Sequence, residues 1–153
     1  MKLPTILDSL PPLASLIRAG DSIIIGQAGG EPLTVTRALV EQAATLAGPV
    51  DVFLGAVLSD TFARELPANL RPGGYGIMGG AARGFASQPG SIVNVTPTPY
   101  RELEGAFGSG RMRADVVMLQ LAPSPDGTRL SLGMANDYVV AAARRARCVI
   151  AEI

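Results

Sequence analysis

The residues with chemistry to offer are few, and one type is missing altogether: the 153-residue sequence has no histidine, a single cysteine, and 13 Lys+Arg against 13 Asp+Glu. Without histidine, Ser-His and Cys-His nucleophiles and His-ligated metal sites are excluded within this chain, and no metal site is expected. Acid–base or nucleophilic work falls to carboxylates, Arg, Lys, Tyr or the backbone. The first place where such groups converge is Gly26-Gln27-Ala28-Gly29-Gly30-Glu31-Pro32. In open α/β sheets, ligands gather where the carboxyl end of a strand feeds a helix N-terminus, and glycines there let a substrate approach the backbone. Gln27 has two readings: it orients a substrate carboxylate or carbonyl, or it closes its own turn. Glu31 is the one acid placed like a catalytic group, but a carboxylate there also serves by stabilising the helix dipole. The loop is not a G-x-G-x-x-G fingerprint and lacks the P-loop lysine, which argues against nicotinamide and ATP.

A second candidate is Gly79-Gly80-Ala81-Ala82-Arg83-Gly84. Backbone N–H groups in a glycine turn plus one arginine hold a carboxylate or phosphate; a solvated surface arginine is the plainer reading of Arg83. Cys148, beside Val149 and Ile150, reads as a buried inert thiol. Arg144, Arg145 and Arg147 read as a helix C-terminus on a solvated face, and Met112, Met118 and Met134 as core filler.

The elements that must position these groups follow from the apolar pattern. Leu13 to Gly20 predicts a short helix closed by a left-handed Gly20. Asp21 to Ile25 is a β-branched run, nearly all apolar and poorly alternating, as in a strand covered on both faces. Val35, Leu39, Ala43 and Leu46 make one helical stripe, stopped by Gly48-Pro49, and Val50 to Val57 predicts the next strand. Ser59 or Asp60 is placed to cap a short helix through Glu65. Beyond it, Pro67 to Pro89 carries too many glycines and prolines for regular structure of any length, so an ordered loop with a little strand is expected. Ile92 to Val95 predicts a short strand, Tyr100 to Phe107 a helix ended by Gly108, and Asp115 to Ala122 a buried strand. A turn at Pro125-Asp126-Gly127 leads to a short return strand at Leu130 to Leu132. Asn136 is expected to cap a helix running to Ala146, and Cys148 to Ile153 forms a last strand. The alternation predicts one α/β domain over 1–153, with a mainly parallel sheet and helices on both faces.

Charge balance argues against a nucleic-acid or membrane-surface partner, and no uncharged apolar run approaches the roughly 20 residues of a membrane helix. A soluble, cytoplasmic domain is expected. The chain stops inside its final strand, which raises an expectation of truncation.

Three stretches carry a family resemblance. Asp115-Val-Val-Met-Leu-Gln-Leu-Ala-Pro-Ser-Pro-Asp126-Gly127, with Leu130-Ser-Leu-Gly133 and Ala143 to Glu152, is the most specific. Arg18-Ala-Gly20-Asp21, leading to Gly26 and Gly30-Glu31-Pro32-Leu33, is the second, and Gly79-Gly80-Ala81-Ala82-Arg83 the third. Together they resemble the N-terminal half of the acetyl-CoA hydrolase/transferase family, which includes 4-hydroxybutyrate and butyrate:acetate CoA-transferases. The resemblance implies a Rossmann-like half of a two-half enzyme. Such an enzyme moves CoA between short-chain carboxylic acids through a glutamyl-CoA thioester, with CoA as a substrate and no permanently bound cofactor. It also implies that the nucleophilic glutamate and main CoA loop lie in a C-terminal half absent here, so no catalytic residue is assigned and the chain alone is expected to be inactive. This half would supply the acid-side wall, with Gln27, Gly29, Gly30, Ser59, Arg83 and Gln120 as substrate-binding candidates. The expected partners are acyl-CoA, small carboxylic acids, the missing half and further copies of the chain. The competing reading is a complete, non-catalytic α/β module that binds a small carboxylate or nucleotide, or serves as a partner subunit.

Overall fold

The computed structural model describes residues 5–63, 65–76 and 93–153. Its centre is a six-stranded sheet: β1 (Ser22–Ile25), β2 (Val50–Phe53), β3 (Leu70–Gly74), β4 (Asn94–Val95), β5 (Val116–Gln120) and β8 (Cys148–Glu152). Spatial order is β4-β3-β2-β1-β5-β8, and every neighbouring pair is parallel. The chain therefore builds outward from β1 in one direction, then returns and continues from β5 in the other. Between β1 and β5 lies the topological switch point, where open α/β sheets leave a crevice beyond the strand ends. A small antiparallel pair, β6 (Ala122–Pro123) and β7 (Leu130–Ser131), stands apart from the sheet.

Helix α1 (Leu33–Gln42) covers one face, and α2 (Tyr100–Ser109) and α3 (Tyr138–Arg145) the other. Successive β1 residues explain why its sequence is uniformly apolar: Ile23 and Ile25 pack with Val35, Leu39 and Phe62, whereas Ile24 packs with Leu103, Phe107 and Val139. Over β2 and β3 the second face is more polar. There Asp51 pairs with Arg71 at 2.8 Å beside a groove of about 270 Å³ that also touches Asn94 and Thr96.

Several boundaries differ from expectation, each for a local reason. The helix expected from Leu13 is a single 3-10 turn, Leu13–Ser15, because the Asp21 carboxylate takes the Arg18 N–H at 2.8 Å and folds 18–21 into a turn. Gly20 does take the left-handed conformation there, φ +78°. No helix starts at Ser59 or Asp60; one turn closes, Ala63 N–H to Asp60 O, while the Ser59 hydroxyl is engaged by Glu31. The strand from Val50 ends at Phe53 rather than Val57. Helix α2 passes Gly108 and closes on Gly110, φ +80°. The cap of α3 is Asp137, one residue later than expected, whose Oδ1 accepts from Val139 N–H at 2.9 Å.

The little strand expected within the Pro67–Pro89 loop is β3, and it is written Leu-Arg-Pro-Gly-Gly. Leu54 N–H donates to Gly73 O and Thr96 N–H to Gly74 O. Odd residues thus bond toward β2 and even ones toward β4. Pro72 aims its missing N–H at the β4 side, where pairing begins only at Gly73–Asn94, so no ladder bond is lost.

Candidate functional site

Two networks occupy the carboxyl ends of the strands. The first centres on Gln27, directly beyond β1. Its Oε1 accepts from Ala56 N–H at 2.9 Å and from Tyr75 O–H at 3.0 Å; its Nε2 donates to Asp137 Oδ2 at 2.8 Å and to Tyr100 Oη at 3.3 Å. A carboxamide has two donors and two acceptor lone pairs, and here all four are engaged within the chain. Of the two readings open to this residue, the hydrogen bonds carry out the one that closes its own surroundings. One side chain ties together the end of β1, the loop after β2, the residue after β3, the first residue of α2 and the cap of α3.

Around it lie all three tyrosines of the sequence. Ring centroids are 5.5 Å apart for Tyr75–Tyr100, 6.1 Å for Tyr75–Tyr138 and 6.0 Å for Tyr100–Tyr138, with Phe53 and Phe107 packed on Tyr138. Tyr138 is 3% exposed, and its hydroxyl has no hydrogen-bond partner among the described residues. Burial pushes all three phenols above the ordinary value near 10. Asp137 adds to the rise in each, and the Gln27 hydrogen bond partly offsets it in Tyr75 and Tyr100. Because the folded values are raised, the tyrosines' contribution to stability is whole below pH 10 and is lost as pH climbs above it. Absorbance titration should therefore show less tyrosinate at pH 10 in the folded protein than in the unfolded chain. The same chain in denaturant should be about half ionised there.

The orphan hydroxyl gives a second expectation. Removing a buried, unpaired donor forfeits no bond, so Tyr138→Phe should leave the thermal midpoint unchanged or raise stability by up to about 1 kcal/mol. A loss of more than that in calorimetry would mean the hydroxyl has a partner in solution.

The second network is built on the glycine loop. Gly26 donates to Met118 O at 2.8 Å, one bond beyond the end of β1, while β5 runs on to Gln120, and a Cβ at Gly26 would strike Gly30 O. Gly30 is buried against the Ala135 side chain, whereas Gly29 is exposed with open space around it. Glu31 is 6% exposed, and its Oε1 accepts the Ser59 hydroxyl at 2.7 Å; Thr61 Oγ1 lies 2.9 Å from the same hydroxyl oxygen. Glu31 therefore does not sit on the helix dipole as a free carboxylate. That place belongs to Glu152 at the end of β8, which takes Thr34 N–H at 2.8 Å and Thr34 O–H at 2.7 Å.

The fold thus brings Ser59 into direct contact with Glu31, the residue after Gly30, and sets Gln27 beside them through the loop after β2. Gln120 stands at the carboxyl end of β5, opposite Glu152 in register. Arg83 and its glycine stretch lie outside the described residues. Three other expectations need correction. Met134 is fully exposed rather than core. Arg147 does not belong to a solvated cluster: its Nη2 meets the buried Asp21 carboxylate at 2.6 Å. Cys148 is only half-buried, though burial still pushes its thiol above the ordinary value. The sequence reading missed Tyr75, Tyr100, Asp137, Tyr138 and Glu152. The Asn136-Asp137 pair was the one available signal, since a helix cap at a sheet's carboxyl edge faces the loops after the strands.

No family model matches the chain. Over 140 residues, 91% of its length, the chain is 26% identical to 4-hydroxybutyrate coenzyme A transferase of Clostridium kluyveri, and the match covers 32% of that protein. Among solved structures, 4-hydroxybutyrate CoA-transferase from Porphyromonas gingivalis superposes with a TM-score of 0.62 at 24% identity, over 91% of this chain and 30% of that one. RipA from Yersinia pestis superposes with a TM-score of 0.72 at 23% identity, over 90% and 34% respectively. The chain spans about a third of the length of the curated relative it matches. At these identities the structures establish a shared fold.

Proposed function

Starting from a chain that is CoA-transferase-like in sequence and fold, we propose that it forms the acid-side wall of an enzyme moving CoA between short-chain carboxylic acids. The nucleophilic glutamate is supplied by a second half. One observation carries this reading: the loops beyond β1 and β2 present a buried carboxylate, Glu31, steadied by Ser59, behind an exposed apolar rim. Leu33 is two residues from Glu31, Leu58 adjoins Ser59, and Met134 adjoins the Ala135 that packs on Gly30. They are 38%, 70% and 102% exposed. Apolar side chains left in water around a polar pocket suit a surface that another protein layer covers.

In this arrangement the open backbone at Gly29 lets a small acid approach, and Gly30 keeps the loop tight. Ser59 offers its hydroxyl to the acid once Glu31 is shielded. Gln27 is a positioning residue that fixes the loop geometry, and Gln120 borders the same crevice from β5. CoA enters as substrate. The carboxylate of the second half attacks the acyl carbon, breaking the carbon–sulfur bond to give an acyl-glutamyl anhydride and CoA thiolate; the thiolate then attacks the glutamyl carbonyl, forming the glutamyl thioester and releasing the first acid.

The test is an acyl-exchange assay with 4-hydroxybutyryl-CoA or butyryl-CoA and acetate. The 153-residue chain alone should give no steady turnover, and the chain co-produced with the remaining two-thirds of a relative's length should give it. Ser59→Ala in the joined enzyme should raise KM for the acceptor acid more than it lowers kcat. Turnover by the isolated chain, or a joined enzyme indifferent to Ser59, contradicts the reading.

A further inference from the structure

On the outer side of the second helical layer, α2 and α3 flank a groove of about 520 Å³ lined by Arg101, Glu104, Gly105, Gly108, Ala141, Arg144 and Arg145. On α2, residues 101, 104, 105 and 108 follow helical spacing along one face, opposite the buried Leu103, Ala106 and Phe107; on α3, residues 141, 144 and 145 do the same. Among the described residues none of the four charged side chains forms an ion pair. Only Arg145 reaches another group, the Gly108 carbonyl, at 3.5 Å. A chain with no net charge thus concentrates three guanidinium groups and one carboxylate in a single trough.

The floor of that trough is open beyond what helix packing requires. A methyl at Gly105 would meet nothing within 4 Å, and one at Gly108 would make only an ordinary contact with the Ala141 side chain at 3.9 Å. Each glycine costs the helix about 1 kcal/mol relative to alanine, and no contact among the described residues returns it. The space is left for something that comes close to the backbone.

We infer that the α2–α3 groove binds a ligand carrying a run of two or three phosphates. Guanidinium groups take phosphate oxygens in paired, charge-assisted hydrogen bonds, a fit that a point charge lacks. From Arg101 to Gly108 the helix rises about 10 Å, enough for a di- or triphosphate with a nucleoside attached. Glu104, the one acid in the groove, would accept from sugar hydroxyl or base amino groups, which favours a nucleotide over an inorganic chain. The inference is independent of the CoA-transfer reading, since it concerns a different face and needs no turnover.

Isothermal titration of the full chain in about 50 mM salt, with ATP, inorganic tripolyphosphate and an oligoglutamate peptide as separate titrants, tests it. Both phosphate compounds should bind saturably, ATP more tightly, and the peptide should not. Arg101→Ala/Arg144→Ala should weaken binding at least about tenfold, the loss of one charge-assisted hydrogen bond, with an unchanged melting curve because both side chains are exposed. Gly105→Leu should block the groove while keeping the fold. Absence of saturable heat up to about 2 mM titrant, equal binding by the double arginine variant, or peptide binding as tight as ATP would each overturn the inference. Equal affinity for tripolyphosphate and ATP would overturn only the assignment of Glu104.

Discussion

Gln27→Leu should lower folding stability by about 4 kcal/mol and the thermal midpoint by roughly 10 °C. The substitution keeps the size of the side chain and removes its four hydrogen bonds, each worth about 1 kcal/mol net. It also strands what those bonds served. The Ala56 N–H and Tyr75 O–H lose an acceptor, and the Asp137 carboxylate keeps only the Val139 N–H at the start of α3. Tyr75→Phe removes one bond of the set and should cost about 1 kcal/mol. Denaturant melts of both variants decide the matter: a Gln27→Leu cost no larger than that of Tyr75→Phe would mean the carboxamide is not the tie between these five segments. A substrate-orienting side chain with free capacity would behave in that way. Because the effect is on stability, it is readable in the chain alone.

Arg147→Ala should cost about 3 kcal/mol. The Asp21 side chain is 8% exposed and sits where the chain turns into β1; Arg147 reaches it from the turn into β8. Removing the arginine leaves a buried carboxylate that still accepts from the Arg18 N–H, and an uncompensated buried charge costs about 3–5 kcal/mol. The lower end applies, since a third of the Arg147 side chain remains wet. In a double-mutant cycle, Asp21→Asn/Arg147→Ala should cost well under the sum of the single changes, because the neutral amide no longer needs the cation. Simple additivity would show that the contact contributes no coupling. The pair also fastens the first crossing of the sheet to the last, 126 residues apart in sequence, so its loss should appear as global rather than local unfolding.

Legibility in the sequence followed the kind of signal each element carries. β1 and β5 were readable because strands covered on two faces are apolar throughout, β8 because its Val149-Ile150-Ala151 run is apolar although only Ile150 is buried, and the stripe Val35-Leu39-Ala43 fixed the side that α1 packs. β3 was legible only as a little strand somewhere in a loop, because Pro72-Gly73-Gly74 is the usual mark of a turn. What admits it to a sheet is the late start of β4, a fact of register with no trace in the residues themselves. The candidate loop at Gly26–Glu31 stood out through its glycines, and Ser59 through its place after the second strand. Their direct contact through Glu31 did not, since it depends on how far β2 runs before turning. The tyrosine cluster was invisible for the same reason: Tyr75, Tyr100 and Tyr138 lie on three segments that meet only at the switch point. Asn136 and Asp137 both cap well, so the sequence does not choose between them; in the structure Asp137 takes the Val139 N–H with one oxygen and the Gln27 Nε2–H with the other.

The proposed division of labour has a direct chemical signature. In the joined enzyme incubated with acyl-CoA and no acceptor, the thioester is trapped with hydroxylamine or borohydride and the modified glutamate located by peptide mass. The account predicts the label on a glutamate outside residues 1–153, with Glu31 unmodified and Glu31→Gln still labelled at that site. A label on Glu31, abolished by Glu31→Gln, would contradict it.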